Sequence, residues 1–212
     1  MKVFDAILFD IDGTLLDTQD FILQAFNHTL SLHGEGPVSW DQLRHVLGKP
    51  LVECYQAVSA SEDVQKFLPA HREFQERNLH LSKPFPGAKE TLEALKRHGI
   101  IMAAVTTRGS KTAGSALELA ELLPYLKLMI TADDVQHCKP HPEALLKALD
   151  ALNILPSRAV MVGDTSADVF AGKNAGTATV GVSYGFHGDY IKESEPDFII
   201  HHIQDILSIA LR

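Results

Sequence analysis

Short apolar runs recur along the sequence, and most of them are separated by segments with helical periodicity. The first run is Ala6 to Phe9, which ends at the turn-forming pair Asp12 and Gly13. The later runs span residues 100–105, 128–131, 159–162, 177–182 and 197–200. Buried strands that alternate with helices form parallel sheets with helices packed on their faces. This pattern predicts an α/β fold.

The helix before the second strand is the best marked element of the sequence. Pro86 lies near its start, Leu92 and Leu95 share one face, and Gly99 follows the last turn. Proline is tolerated where a helix begins, and glycine is favoured just after a helix ends. We therefore expect one helix between Pro86 and Gly99.

Residues 16–83 break the alternation of strands and helices. They contain helical patterns at 21–32, 40–47 and 62–81 and no convincing strand, and turn-forming residues flank the interval. About 68 residues is long for one connection between parallel strands, although two crossover helices are the simpler alternative. We predict a helical cap at 16–83, inserted into a core made of 1–15 and 84–212.

Composition excludes several classes of protein. The chain has 212 residues and a formal charge of −8, with no segment of membrane-spanning length. Cys54 and Cys138 lie far apart, so neither a disulfide framework nor a zinc site is indicated. Asp5 interrupts the N-terminal apolar run too early for a signal peptide. We expect a cytoplasmic protein that binds neither nucleic acid nor membrane.

Polar residues follow several of the predicted strands at their carboxyl ends, where parallel α/β sheets bind ligands. The residues collected in this way are Asp10, Asp12, Thr106, Thr107, Arg108, Lys139, Asp164 and Asp168. Carboxylates packed together repel one another unless a cation neutralises them. Oxygen ligands with few nitrogens or sulfurs favour Mg²⁺, so we predict Mg²⁺ as the cofactor.

Four of these segments, in this order, resemble the motifs of the haloacid dehalogenase-like hydrolase superfamily. They are Asp-Ile-Asp-Gly-Thr-Leu at residues 10–15, Thr106, Lys139-Pro140, and Gly-Asp-Thr-Ser-Ala-Asp at residues 163–168. The resemblance covers nearly the whole chain. It implies a doubly wound, Rossmann-like core with a helical cap of the first type inserted after the first motif, which agrees with the insertion at 16–83.

The resemblance also implies roles for the strand-end residues. Asp10 would be the nucleophile that forms an aspartyl-phosphate, and Asp12 the general acid and base. Thr106 would bind a phosphoryl oxygen, and Lys139 would neutralise its charge. The metal would be held by Asp10, Asp164 and the main-chain carbonyl of Asp12. Asp168 is expected at the metal or its waters.

Residues for substrate binding are less sharply marked. Gly13 would let backbone amides approach phosphate, and Thr107 and Arg108 follow the second motif, where phosphoglycolate-type phosphatases often have Asn. In the cap, Lys49 follows Gly48 in a loop between predicted helices. We expect Gly13, Thr107, Arg108 and Lys49 to contact the substrate.

The motifs favour a magnesium-dependent phosphatase for a small phosphorylated metabolite. Asp12 argues against a dehalogenase, because a halide leaves without a proton. Within the superfamily the resemblance is best to phosphoglycolate phosphatases and related pyrophosphatases, and we favour a phosphoglycolate-like monoester. Inorganic pyrophosphatase and a phosphoglucomutase-like phosphotransferase are the enzymatic alternatives, and a non-catalytic binding protein is a further one. The chain is expected to be a monomer or a homodimer.

Overall fold

A computed structural model describes residues 3–211 of the chain, so residues 1, 2 and 212 of the predicted core lie outside the described part. Within it, the strands are β1 Ala6–Phe9, β2 Leu16–Asp17, β3 Lys83–Pro84, β4 Ile101–Val105, β5 Leu128–Ile130, β6 Ala159–Gly163, β7 Ala178–Val182 and β8 Phe198–Ile200. The α-helices are α1 Gln19–Leu32, α2 Trp40–Arg44, α3 Leu51–Val58, α4 Leu68–Arg77, α5 Ala88–Arg97, α6 Ser110–Leu119, α7 Glu143–Leu152, α8 Ser166–Ala175 and α9 Ile206–Ala210.

Six parallel strands form the central sheet in the order β5-β4-β1-β6-β7-β8. The chain moves outward from β1 to β5 and then crosses back to β6, so the sheet is wound in two directions. The register aligns Phe9 of β1 with Ala104 of β4 and Val162 of β6. The residues that follow these three central strands therefore meet at one edge. The predicted doubly wound α/β fold is confirmed.

Both faces of the sheet are covered, as its apolar strands require. In β1, Ile7 and Phe9 pack into one buried cluster with residues of α5, α6 and α9. Ala6 and Leu8 face a second cluster with residues of α7 and α8. The helix predicted before the second strand is α5, and Gly99 follows it with a φ of 72°.

Residues 16–83 hold the helices α1 to α4 and no strand of the central sheet. Their apolar side chains form a separate cluster, called the cap cluster below. Its buried members are Phe26, Leu30, Val38, Leu43, Cys54, Tyr55, Val64 and Phe67. The helical insert is therefore present, while the domain bounds at 15/16 and 83/84 stay a prediction.

Three details of the insert differ from the sequence prediction. Two short strands do occur, because Leu16–Asp17 pairs antiparallel with Lys83–Pro84 and ties the two connections together. The helix α3 had no predicted counterpart, although Leu51, Cys54, Tyr55 and Val58 have helical spacing. The helix predicted at 62–81 is broken into α4 and flanking 3-10 turns, with a proline in the first turn of α4. No helix within residues 3–211 has the length and apolar character needed to cross a membrane.

Candidate active site

The carboxyl edge of the sheet brings the predicted chemical groups together. Asp10 follows β1, and its N–H donates to Val162 O at 2.9 Å, which fixes it beside β6. Thr106 follows β4, and its N–H donates to Ile130 O of β5 at 2.9 Å. Asp164 follows β6 directly. The strand register therefore places side chains from three separate motifs at one point, as the sequence predicts.

Lys139 reaches this point from the loop between β5 and α7. Its Nζ donates to Asp10 Oδ1 at 2.8 Å, to Asp168 Oδ1 at 2.6 Å and to Val105 O at 2.9 Å. Burial by itself would lower the pKa of Lys139, but the two carboxylates raise it above its ordinary value. Lys139 therefore stays charged and links Asp10 to Asp168.

Three carboxylates gather around this ammonium. Oxygens of Asp10, Asp164 and Asp168 lie within 4.8 Å of one another, and all three residues are buried. Burial raises the pKa of Asp10 to about 7, and the Asp168 charge adds to the effect while Lys139 opposes it. Burial, followed by Asp168 and Asp10, also raises the pKa of Asp164 well above its usual range.

This acid cluster fits a divalent cation. Three carboxylates share one lysine charge, so negative charge is left over when all three are ionised. Hard oxygen donors of this kind suit Mg²⁺. Asp168 differs from the other two, because Lys139 occupies one of its oxygens and Thr165 donates to the other from N and Oγ1 at 3.0 and 2.7 Å. With both oxygens engaged in this way, Asp168 is suited to supporting the metal site.

Asp164 is held by residues that the sequence analysis did not single out. Phe186 N donates to its Oδ2 at 2.7 Å, and Thr14 Oγ1 donates to its Oδ1 at 3.4 Å. A Cβ at Gly185 would lie 2.3 Å from Asp164 Cβ, so only glycine fits there. Gly185 and Phe186 lie beyond the carboxyl end of β7, and the same strand-end rule applied to that strand would have found them.

Gly13, which was expected to contact substrate, packs against Asp164. It adopts a φ of 82°, and a Cβ there would lie 2.2 Å from Asp164 Oδ2. Gly13 therefore lies against Asp164 and is not among the residues that line the cavity described below. Its predicted contact with substrate stays a prediction.

Arg108 is tied into the site by its neighbours. Its backbone N–H donates to Thr106 Oγ1 at 3.1 Å, its Nε to Thr112 Oγ1 at 3.2 Å, and its Nη1 to Asp12 Oδ1 at 3.0 Å. The guanidinium lies over the Phe21 ring at 4.8 Å. Its Nη2 is buried and has no hydrogen-bond partner among residues 3–211. A buried donor without a partner is costly, so a hydrogen bond from this nitrogen to a ligand would be favourable.

A cavity of about 570 Å³ lies between the edge of the sheet and the insert. The predicted site residues on its walls are Asp10, Asp12, Thr106, Thr107, Arg108, Lys139 and Lys49. Lys49 is exposed and comes from the loop before α3, while Asp164 and Asp168 lie behind the wall. The insert adds Arg72, His71 and apolar side chains. The cavity therefore has carboxylates and cations on both sides, with Glu76 as the carboxylate of the insert.

A model of the haloacid dehalogenase-like hydrolase family matches residues 7–182, which is most of the chain. The chain belongs to this family. It is 35% identical over 214 residues to the pyrophosphatase PpaX of Bacillus mycoides, with 100% of this chain and 99% of that protein covered. It is 36% identical over 207 residues to the PpaX of Anoxybacillus flavithermus, with 97% and 96% covered.

Solved structures agree with this assignment. A predicted phosphoglycolate phosphatase from Haemophilus somnus has 30% identity and a TM-score of 0.91, with 99% of each chain covered. A putative β-phosphoglucomutase from Thermotoga maritima has 28% identity and a TM-score of 0.76, with 98% of this chain and 100% of that chain covered. The family predicted from the motifs is confirmed, and the protein is a phosphohydrolase of this family.

Proposed function

We propose that this phosphohydrolase is a magnesium-dependent enzyme that cleaves inorganic pyrophosphate through an aspartyl-phosphate on Asp10. The observation that carries the proposal is the unpartnered Nη2 of buried Arg108, next to Asp12 on the cavity wall. A substrate with a second anionic group beside the reacting phosphoryl group would satisfy this nitrogen. Relatives called pyrophosphatases, 35 and 36% identical over almost their whole length, favour pyrophosphate over the phosphoglycolate favoured by the sequence motifs.

Asp10 and Asp12 carry the covalent steps. An oxygen of Asp10 attacks phosphorus, the bond from phosphorus to the bridging oxygen breaks, and the leaving phosphate takes a proton from Asp12. Asp12 then removes a proton from water as the water oxygen attacks the aspartyl-phosphate. The second phosphate leaves, and Asp10 returns to its starting state. Arg108 positions Asp12 by donating to its Oδ1.

Thr106 and Lys139 would stabilise the negative charge on the phosphoryl group during its transfer. The Thr106 hydroxyl would donate to a phosphoryl oxygen, and Lys139, already 2.8 Å from Asp10 Oδ1, would face the charge that spreads over those oxygens. Mg²⁺ would be held by Asp10, Asp164 and the main-chain carbonyl of Asp12, with Asp168 in support. When bound, Mg²⁺ neutralises charge on the carboxylates and on the phosphoryl group.

The distal phosphate would lie on the cap side of the cavity. Lys49 and Arg72 line the cavity from the cap and Thr107 and Arg108 line it from the core, so together they offer several donors to an anion. A phosphoglycolate carboxylate is the second candidate for the same place, and it is favoured by the similarity to the Haemophilus somnus structure. A cytoplasmic location and a monomeric or homodimeric state remain predictions.

The substrate is tested by phosphate release from pyrophosphate, phosphoglycolate and hexose phosphates, each with Mg²⁺ and with EDTA. We expect pyrophosphate to be the best substrate, with activity lost in EDTA. Asp10→Asn should lower kcat by about 10³-fold or more in a folded protein. Phosphoglycolate as the best substrate would select the second candidate. Phosphoryl transfer between sugar phosphates without free phosphate would indicate a phosphotransferase.

The role of Arg108 is tested with Arg108→Lys and two substrates. An aryl monophosphate has no second anionic group, so it serves as the matched control for pyrophosphate. We expect the variant to lose about tenfold or more in kcat/KM for pyrophosphate relative to the aryl phosphate, because one charged hydrogen bond contributes about 1.5–3 kcal/mol. Equal losses on both substrates would show that Arg108 acts only by positioning Asp12.

A further inference from the structure

A second group of metal-ligating side chains lies on the outer surface of the loop that carries Lys139. Ligand atoms of His137, His141 and Glu143 lie within 4.8 Å of one another. The two imidazole rings are 4.6 Å apart between centroids and are tilted by 36°. Both histidines are exposed and Glu143 is partly buried, so the group is accessible to an ion from solvent.

The hydrogen bonds within this group show which atoms are available. His137 Nδ1 lies 3.0 Å from Glu143 Oε2, and since a carboxylate only accepts, this nitrogen carries the proton. Glu143 N donates to His141 Nδ1 at 3.2 Å, so that nitrogen carries a lone pair. A change of tautomer at His137, which moves its proton from Nδ1 to Nε2, therefore gives a set of two imidazole nitrogens and one carboxylate oxygen.

From this geometry we infer that His137, His141 and Glu143 form a surface site for a transition-metal dication of the Zn²⁺ class. Zinc bonds of about 2.0–2.2 Å in tetrahedral geometry separate neighbouring ligands by about 3.3 Å. The 3.0 Å between His137 and Glu143 needs only a small change to reach that spacing. Imidazole favours Zn²⁺, Ni²⁺ and Cu²⁺ over Mg²⁺, so the ion differs in kind from the one proposed for the acid cluster. A water would complete the coordination.

The position of this site links it to the catalytic loop. His137 and His141 flank Lys139, whose Nζ lies on the inner side of the loop at Asp10 and Asp168. An ion bound to both histidines and to Glu143, the first residue of α7, would hold this loop against the helix. For an ion to bind Nδ1 of His137, the ring proton would move from Nδ1 to Nε2, which a neutral imidazole does without losing a proton.

The test uses untagged protein in excess Mg²⁺, which occupies the acid cluster, and titrates Zn²⁺ by calorimetry. We expect one Zn²⁺ per chain, with at least a tenfold loss of affinity in the double variant His137→Ala/His141→Ala. The matched control is His201→Ala/His202→Ala, which removes two adjacent exposed histidines that belong to no such group within residues 3–211. This control should bind Zn²⁺ like the wild type.

Two further measurements test the site, the first independently of whether the double variant folds. Glu143→Gln keeps the size of the side chain and should weaken Zn²⁺ binding even if the double variant fails to fold. Cu²⁺ bound to the wild type should show nitrogen hyperfine structure in its electron paramagnetic resonance spectrum, and this structure should be absent from the folded histidine variant. Unchanged Zn²⁺ affinity in both the double variant and Glu143→Gln, or an equal loss in the His201/His202 control, would overturn the site.

Discussion

The edge of the sheet buries an ammonium between carboxylates, whereas the cap buries a histidine that stays neutral. At the edge, Lys139 lies between the carboxylates of Asp10 and Asp168. In the cap, His71 is 1% exposed, and its Nδ1 shares a 2.8 Å hydrogen bond with the Tyr55 hydroxyl. Burial lowers the pKa of His71 to about 3, and the nearby arginine charges contribute.

The difference shows what each region requires of its polar groups. A charge can be buried where an opposite charge and hydrogen bonds compensate for the lost water, as at the edge of the sheet. The rings of Phe26 and Tyr55 pack against His71 inside the cap, so this titratable side chain stays uncharged there. The edge therefore serves chemistry on a charged group, while buried His71 adds a neutral side chain to a cap wall that also carries Lys49 and Arg72.

Of the changes considered, Lys139→Met is expected to lower the free energy of unfolding most. The variant leaves buried carboxylates without their ammonium, so the free energy of unfolding should fall by about 3–5 kcal/mol at pH 8 in EDTA. Lys111→Met is the matched control, because Lys111 makes a 2.7 Å ion pair with Glu76 of the cap between side chains that are 75% and 43% exposed. It should cost less than about 1 kcal/mol. Urea unfolding measures both, and equal losses would contradict the contrast.

Mg²⁺ should stabilise the folded protein through the acid cluster, by an amount that depends on pH. Asp10 has a pKa raised from 3.8 to about 7, so between these values the folded state holds more protons than the unfolded chain. Stability of the metal-free protein therefore falls as the pH rises through this window. Mg²⁺ binds the ionised carboxylates, and at 100 times its Kd it adds about 2.7 kcal/mol.

Melting temperatures with Mg²⁺ and with EDTA test this expectation. The increase on adding Mg²⁺ should be larger at pH 8 than at pH 5, because protons compete with the metal at the lower pH. Asp164→Asn should abolish the increase, while Asp133→Asn, a carboxylate on the cavity wall outside the acid cluster, should retain it. An increase of the same size at both pH values would rule out carboxylate ionisation as its cause.

The sequence predicts the edge of the sheet well, because backbone topology alone brings these residues together. Asp10, Thr106 and Asp164 each follow a parallel strand, and the ends of neighbouring parallel strands must meet. Lys139 is collected because it precedes a predicted helix, but only its resemblance to a family motif gives it a role, since a loop lysine has no periodic signal. The structure places all four together.

Contacts that depend on how the insert packs against the core could not be predicted in the same way. The hydrogen bond between Tyr55 and His71 joins α3 to α4, and α3 itself had no predicted counterpart. Phe21 lies under the Arg108 guanidinium although the two residues are far apart in the sequence. Such pairs follow from the relative placement of helices, which apolar spacing within one helix does not encode.

The neutral state of His71 gives the cap its own acid sensitivity. In the unfolded chain a histidine gains its proton near pH 6.5, but folded His71 stays neutral down to about 3. Stability from this residue is therefore fully present above pH 6.5 and is lost as the pH falls, by about 2 kcal/mol at pH 5. His71→Gln should remove about that much of the decrease between pH 7 and 5. The same substitution at His28, which is exposed on α1, should leave the decrease unchanged.

Urea unfolding at pH 7, 6 and 5 measures this difference. Phe26 and Tyr55 pack on His71, so the variant will be less stable at every pH, and only the change with pH is informative. A wild type and a His71→Gln variant that lose stability in parallel would show that His71 gains its proton in the folded cap.

The smallest effect concerns the contact between the two regions at Gly48. This residue has a φ of 91°, and a Cβ there would lie 2.9 Å from Thr165 Oγ1 at the start of α8. Gly48→Ala should therefore cost stability twice, through left-handed backbone strain of about 1 kcal/mol and through a push of the cap away from the core. The push should raise KM, because Lys49 follows directly and lines the cavity.

Substitutions at two other glycines of the cap distinguish backbone strain from displacement of the cap. Gly34 has a φ of 74° but open space around its Cβ position, so Gly34→Ala reports backbone strain alone. Gly36 has neither a positive φ nor a close neighbour, so Gly36→Ala should change stability by less than about 0.5 kcal/mol. If Gly48→Ala raises KM and Gly34→Ala does not, the contact at Thr165 positions the cap over the acid cluster. If both leave KM unchanged, the cap wall does not need this contact to hold the substrate.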